Sequence, residues 1–165
     1  MKTIIIFGST YGFAKECAQK LAEQIDGEVV LVNVVTEGIM PLENFDNVVI
    51  GGSIYMGQVQ KKVKAFCVAN VEALKSKRVG LFLCCGLPQN FEINLKNAYP
   101  DELINVAVAK ECFGGELRTE KMNFAHKFIT GMMKKASAKQ GTAAPVMQMT
   151  ENITKMAASI NNVGK

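Results

Sequence analysis

The sequence predicts a doubly wound α/β domain, a five-stranded parallel sheet covered by helices on both faces. Its apolar runs are short and uninterrupted, as strands buried on both sides must be. They alternate with segments whose apolar residues recur at the helical period. The chain has 165 residues, which suits one core because single domains run ~100–200 residues. Residues 1–165 are therefore read as one domain.

The elements follow in chain order. Lys2–Phe7 is β-rich and apolar, and it breaks at the turn Gly8-Ser9-Thr10-Tyr11-Gly12. Ala14–Ile25 then carries Cys17, Ala18, Leu21, Ala22 and Ile25 at helical spacing. Glu28–Val35 is the second strand; after the turn-like Glu43–Asp46, Asn47–Gly52 is the third. Between Gln58 and Ser76, Val59, Val63, Phe66, Cys67, Val71 and Leu74 keep the 3.6 period and predict one long helix. Val79–Cys85 is the fourth strand, Glu92–Ala98 and Asp101–Asn105 are short helical turns, and Val106–Phe113 is the fifth strand, ending at Gly114-Gly115. Ser137–Pro145 reads as a soft Gly/Ala/Ser/Thr loop, and Val146–Asn161 as a final helix.

Composition removes several function classes. Hydrophobic residues make up 48% and charged residues 21% of the chain, with 14 Gly and 4 Pro, which excludes disordered and collagenous chains. No stretch reaches the ~18 apolar residues that span a bilayer, and the first apolar run lacks a cleavage site. Cys17, Cys67, Cys84, Cys85 and Cys112 are odd in number, which predicts reduced thiols in a cytoplasm rather than a disulfide framework. There is no C-x-x-C, and His126 is the only histidine, so no metal site is expected.

In open parallel sheets ligands bind at the carboxyl ends of the strands, where strand order reverses. Gly8–Ala14 supplies hydroxyls, glycines and a helix N-terminus, which suit a phosphate; a strand-to-helix turn with a Ser/Thr cap would read the same way. The loop has neither G-x-G-x-x-G nor a Walker lysine, which excludes dinucleotide and nucleoside-triphosphate fingerprints. Gly51–Gly57 and Cys84–Phe91 carry glycines beside aromatic or apolar side chains that can lie on a flat ring. All three loops lack carboxylates, as a dianionic phosphate requires.

On these residues Phe7–Ala14 resembles the flavodoxin phosphate loop. Asn47–Gly57 (Asn-Val-Val-Ile-Gly-Gly-Ser-Ile-Tyr-Met-Gly) and Cys112–Arg118, followed by a basic amphipathic segment, resemble the flavodoxin-like protoporphyrinogen dehydrogenases that use quinone acceptors. The resemblance implies strand order 2-1-3-4-5 and FMN as cofactor. It implies that Ser9, Thr10, Tyr11, Gly12, Phe13 and Ala14 wrap the phosphate. Ser53, Ile54, Tyr55, Met56 and Gly57 would then line one edge of the isoalloxazine, with Tyr55 stacking, and Cys84, Cys85, Gly86, Leu87 and Gln89 the other. Ala14 replaces the motif's usual Thr and Phe13 its usual polar residue, which implies weaker FMN binding. Phosphoacceptor receivers share only the topology: Gly8-Ser9 and Gly52-Ser53 stand where they need acidic residues.

Cys112–Thr119 also matches the C-x5-R-T loop of cysteine phosphatases, but Glu116 within it would repel a phosphate. Adjacent Cys84 and Cys85 would strain a disulfide; alternation puts one on each sheet face, one at the buried strand end and one lining the pocket. Met122–Lys139 interleaves an apolar stripe (Ala125, Phe128, Ile129, Met132, Met133, Ala136) with Lys127, Lys134, Lys135 and Lys139. Within 120–145, the basic segment and its loop, residues 120–141 net +4, as does the whole chain, so the rest is balanced. This is either a core-facing helix with a solvated lysine face or a surface for an anionic redox partner, a carboxylated substrate or a membrane face. Two arginines, Arg78 and Arg118, with no aromatic interleaving argue against nucleic acid. Family carriers are acidic whereas this chain has pI ≈ 8.8. The expectation is a cytoplasmic FMN oxidoreductase of the protoporphyrinogen dehydrogenase type, passing electrons to a quinone and docking at the inner membrane face. The alternatives are a carrier flavodoxin and, from other classes, a non-redox binding protein or a cysteine phosphatase.

Overall fold

A computed structural model describes residues 1–115 and 148–162, with Met132 and Lys135 between them. Its strands are β1 (Lys2–Gly8), β2 (Glu28–Asn33), β3 (Asn47–Ser53), β4 (Arg78–Cys84) and β5 (Ala109–Cys112). All pairings are parallel and the order is β2-β1-β3-β4-β5, as expected. The described helices are α1 (Phe13–Ala22), α2 (Lys61–Ala69), α3 (Val71–Lys75), α4 (Phe91–Ala98), α5 (Asp101–Val106) and α6 (Thr150–Asn161), with 3₁₀ turns at Leu42–Asn44 and Pro88–Asn90.

The apolar runs of β1, β3 and β4 are buried because the sheet has a core on each side. Ile4, Ile6, Val48, Ile50, Leu81 and Leu83 face Val63, Leu74, Leu95 and Leu103 of α2–α5. Ile5, Phe7, Val49 and Phe82 face Leu21 of α1 and Ile153, Met156 and Ile160 of α6. Ile4, Ile5 and Ile6 are fully buried, and such side chains contribute about 1.5–3 kcal/mol each. The Tyr99 hydroxyl lies 2.8 Å from the Phe82 carbonyl and 3.2 Å from that of Ile50, tying β4 to β3.

Several boundaries differ from the sequence reading, each for a local reason. The helix expected over Gln58–Ser76 starts only at Lys61 and breaks at Asn70, whose φ and ψ of −119° and 15° are not helical and whose side-chain amide donates to the Phe66 carbonyl. The first helix ends at Ala22, as Gln24 and Ile25 bond back three residues instead of four. The second strand stops at Asn33, whose carbonyl accepts the N–H groups of Thr36 and Glu37 and turns the chain. Val106 closes α5 and β5 begins only at Ala109, leaving Val106 and Val108 exposed. At the last helix, Gln148 and Met149 are not helical and α6 begins at Thr150. Ser137–Pro145, His126, Glu116–Thr119 and all of Met122–Lys139 except Met132 and Lys135 lie outside the described residues; those two side chains are exposed.

Candidate functional site

The register places three expected loops side by side. Gly8 pairs with Gly52, and Ser53 with Cys84, so the chain leaves β1, β3 and β4 at one edge. The β1/β3 pair is also where strand order reverses, the usual ligand position in this topology.

After β1, the loop is held by polar contacts. Ser9 is buried, and its Oγ accepts the Gly12 N–H at 3.1 Å. Its carbonyl accepts from Asn33 Nδ2 at 3.1 Å, while Asn33 Oδ1 takes the N–H groups of Ser9 and Val35 at 3.4 and 3.2 Å. Lys62 Nζ donates to the Val35 carbonyl at 2.7 Å, setting a cation beside this knot. Gly12 is the N-cap of α1 with φ 97°, a left-handed conformation that glycine adopts without strain. Thr10 is exposed and Tyr11 half-buried, whereas the Phe13 and Ala14 side chains are buried in the core beneath α1. These last two can therefore serve a ligand through their backbones alone. Asn33 was missed by the sequence reading; a polar residue closing an apolar strand opposite Phe7 was the available signal.

After β3, the Ile54 N–H donates to the Cys84 carbonyl at 2.8 Å. Tyr55 and Gln58 then exchange both backbone hydrogen bonds around Met56 and Gly57, with φ 51° and 74°. Positive φ at both central residues matches a type I′ turn, and Met56 stands 58% exposed at its tip. Tyr55 and Ile54 are half-buried. Gln60 lies across the roots of β1 and β3: a Cβ on Gly8 or Gly52 would come within 2.8 or 2.6 Å of its Oε1. Among the described residues that oxygen is buried without a donor, an arrangement that costs about 1–3 kcal/mol unless a ligand supplies one.

After β4 the sequence reading is corrected. Cys84 and Cys85 were expected to divide between a buried strand end and the pocket wall, but both are buried. Cys84 joins the α1 and α6 core. Cys85 Sγ lies 3.3 Å from Cys112 Sγ at the end of β5. Gly86 and Leu87 are half-buried and Gln89 is exposed; Leu87 remains the apolar candidate for a ring contact. Among the described residues no cluster of His, Cys, Asp and Glu could hold a metal ion.

This edge fits a flavin mononucleotide. Ser9, Thr10 and the start of α1 offer hydroxyls and a positive dipole end, and Ser9–Lys15 contains no carboxylate. Tyr55, Met56 and Leu87 offer flanking apolar surface, and the unsatisfied Gln60 oxygen offers an acceptor.

A family model described as "Flavodoxin domain" matches residues 4–143. No curated protein matches the chain. Among solved structures, a flavodoxin from the domain Archaea is similar at 13% identity and TM-score 0.59, covering 98% of this chain and 97% of that one. A Fusobacterium nucleatum flavodoxin bound to flavin mononucleotide is similar at 14% identity and TM-score 0.56, covering 99% of each chain. A WrbA-like flavodoxin from Agrobacterium tumefaciens is similar at 16% identity and TM-score 0.56, covering 98% and 96%. At such identities the likeness concerns the fold.

Proposed function

From the premise that this chain belongs to the flavodoxin-domain family, we propose that it is an FMN-dependent oxidoreductase that takes electrons from protoporphyrinogen and delivers them to a quinone. FMN is the cofactor, and when bound it accepts electrons from a donor and passes them on. The observation that carries the reading is the union, at one sheet edge, of the Ser9–Gly12 loop, the Tyr55–Gln58 turn and the Cys84–Gln89 loop. Asn33 holds the phosphate loop in shape from β2. Gly8 and Gly52 let Gln60 reach the β1/β3 edge with its acceptor. The finer assignment, a substrate dehydrogenase instead of a carrier, is supported by the Asn47–Gly57 resemblance and by a basic chain with pI ≈ 8.8, suited to an anionic donor or membrane face.

The test has two levels. Titrated with both flavins, the apoprotein should bind FMN more tightly than FAD, since the loop is built for a terminal phosphate. Ser9→Asp should weaken FMN by more than about tenfold, because like charges placed together cost several kcal/mol. Binding of neither flavin, or tighter binding of FAD, would overturn the cofactor. The loaded protein, given protoporphyrinogen and a quinone, should turn over both; FMN uptake without turnover would leave the carrier reading in its place.

A further inference from the structure

All five cysteines lie among the described residues and are free and buried. Cys85 and Cys112 differ from the others in standing where two glycine-bearing loops leave the sheet. Their sulfurs are 3.3 Å apart, and Cys112 Sγ also lies 3.6 Å from the Cys85 carbonyl. We propose that Cys85 and Cys112 form a reversible oxidation site at which hydrogen peroxide converts the dithiol to an intrachain disulfide.

The geometry asks little of the chain. Closing 3.3 Å to the ~2.05 Å of an S–S bond is within reach of side-chain rotation with small backbone adjustment. Gly86 follows one cysteine, and Gly114, at φ 77°, with Gly115 follows the other. The two loops already touch: a Cβ on Gly115 would stand 2.5 Å from the Gly86 nitrogen. The bridge would thus join segments already in backbone contact. Among the described residues beside the pair, Gly86, Leu87 and Gly115 are half-buried, and peroxide is small enough to reach a thiol beneath such neighbours.

The chemistry has an order. The contact between the two thiols, aided by the Gly114 and Cys85 backbones, draws the Cys112 thiol down, while the same contact and burial push Cys85 up. The 3.3 Å contact permits the bridge whichever sulfur reacts first; with the lowered thiol, Cys112 serves as nucleophile and Cys85 as resolving thiol. The Cys112 thiolate attacks a peroxide oxygen, breaking O–O to give the sulfenic acid and hydroxide. The Cys85 sulfur then attacks the sulfenic sulfur, forming S–S and releasing water; the two thiols lose two electrons and peroxide is reduced. Cys85 leads directly into Gly86–Gln89, so the bridge pins that loop to the end of β5.

The test reads thiols, so it does not depend on the flavin assignment. The reduced protein is treated with equimolar hydrogen peroxide, denatured in alkylating reagent and mapped by tandem mass spectrometry, whose fragments separate Cys84 from Cys85. Two thiols should be lost, the peptides holding Cys85 and Cys112 should be joined, and dithiothreitol should restore both. Cys85→Ser should abolish the bridge and leave a dimedone-reactive sulfenic acid at Cys112, whereas Cys67→Ala should retain the bridge. Five alkylatable thiols after peroxide, a bridge between any other pair such as Cys17 and Cys84, or sulfinic acid at Cys112 without a bridge would each overturn the proposal. The wild-type map suffices should a variant fail to fold.

Discussion

Cys67 shows how one buried thiol ties stability to pH. It sits fully buried on α2, and burial alone pushes its thiol from 9.0 up to about 12. Its folded pKa is above the unfolded one, so the neutral thiol's contribution is complete below about 9 and is lost as pH rises toward 12. Relative to Cys67→Ala, wild type should lose stability over that window in urea unfolding; parallel pH curves for the two proteins would refute it. The same residue should resist alkylation at neutral pH until the chain unfolds. Little of this was legible in sequence. Cys17, Cys67, Cys84, Cys85 and Cys112 look alike as letters, and which sulfur meets which depends on strand register and loop packing. Asn33 was hidden likewise: its partner Ser9 is brought to it only when β2 lies beside β1.

At the scale of elements, the strands were the most readable because burial on both faces leaves them no polar alternation to disguise the run. Helix continuity was less so: the apolar spacing across Gln58–Ser76 persists through the break at Asn70, whose backbone leaves helical geometry while its side-chain amide bonds the Phe66 carbonyl. Close packing between elements was not visible at all. Gly51 on β3 accommodates the Phe82 ring of β4, for a Cβ there would lie 2.3 Å from it. That ring stacks on Phe113, centroids 4.6 Å apart at 17°, so it is not free to swing aside. Gly51→Ala should therefore destabilise the fold by about 1–3 kcal/mol, the usual cost of overpacking a core. A second change, Phe82→Leu, should recover part of that loss in denaturant unfolding. Strict additivity of the two substitutions would show that the clash is not the cause.

For the whole molecule, charge separates the candidate partners. The three loops at the sheet edge were placed correctly as neighbours from sequence because strand order and the carboxyl-end rule fix where loops emerge; what approaches them is governed by longer-range forces. The surplus of +4 is confined to residues 120–141, and Lys135 within it is exposed. An anionic tetrapyrrole or an anionic bilayer carrying quinone would both be drawn to such a segment. That attraction is screened over ~8 Å at physiological ionic strength, so its signature is salt dependence. Replacing Lys127, Lys134, Lys135 and Lys139 by Gln should raise KM for protoporphyrinogen at low salt and flatten its response to added salt. FMN content should stay unchanged, as those lysines lie outside the flavin loops. If liposomes of anionic lipid bind wild type and not the variant, while KM in detergent is the same for both, the segment serves the membrane and the substrate finds its site without it. Equal KM at every salt concentration together with equal liposome binding would make these lysines a solvated face and return the partner question to the loops themselves.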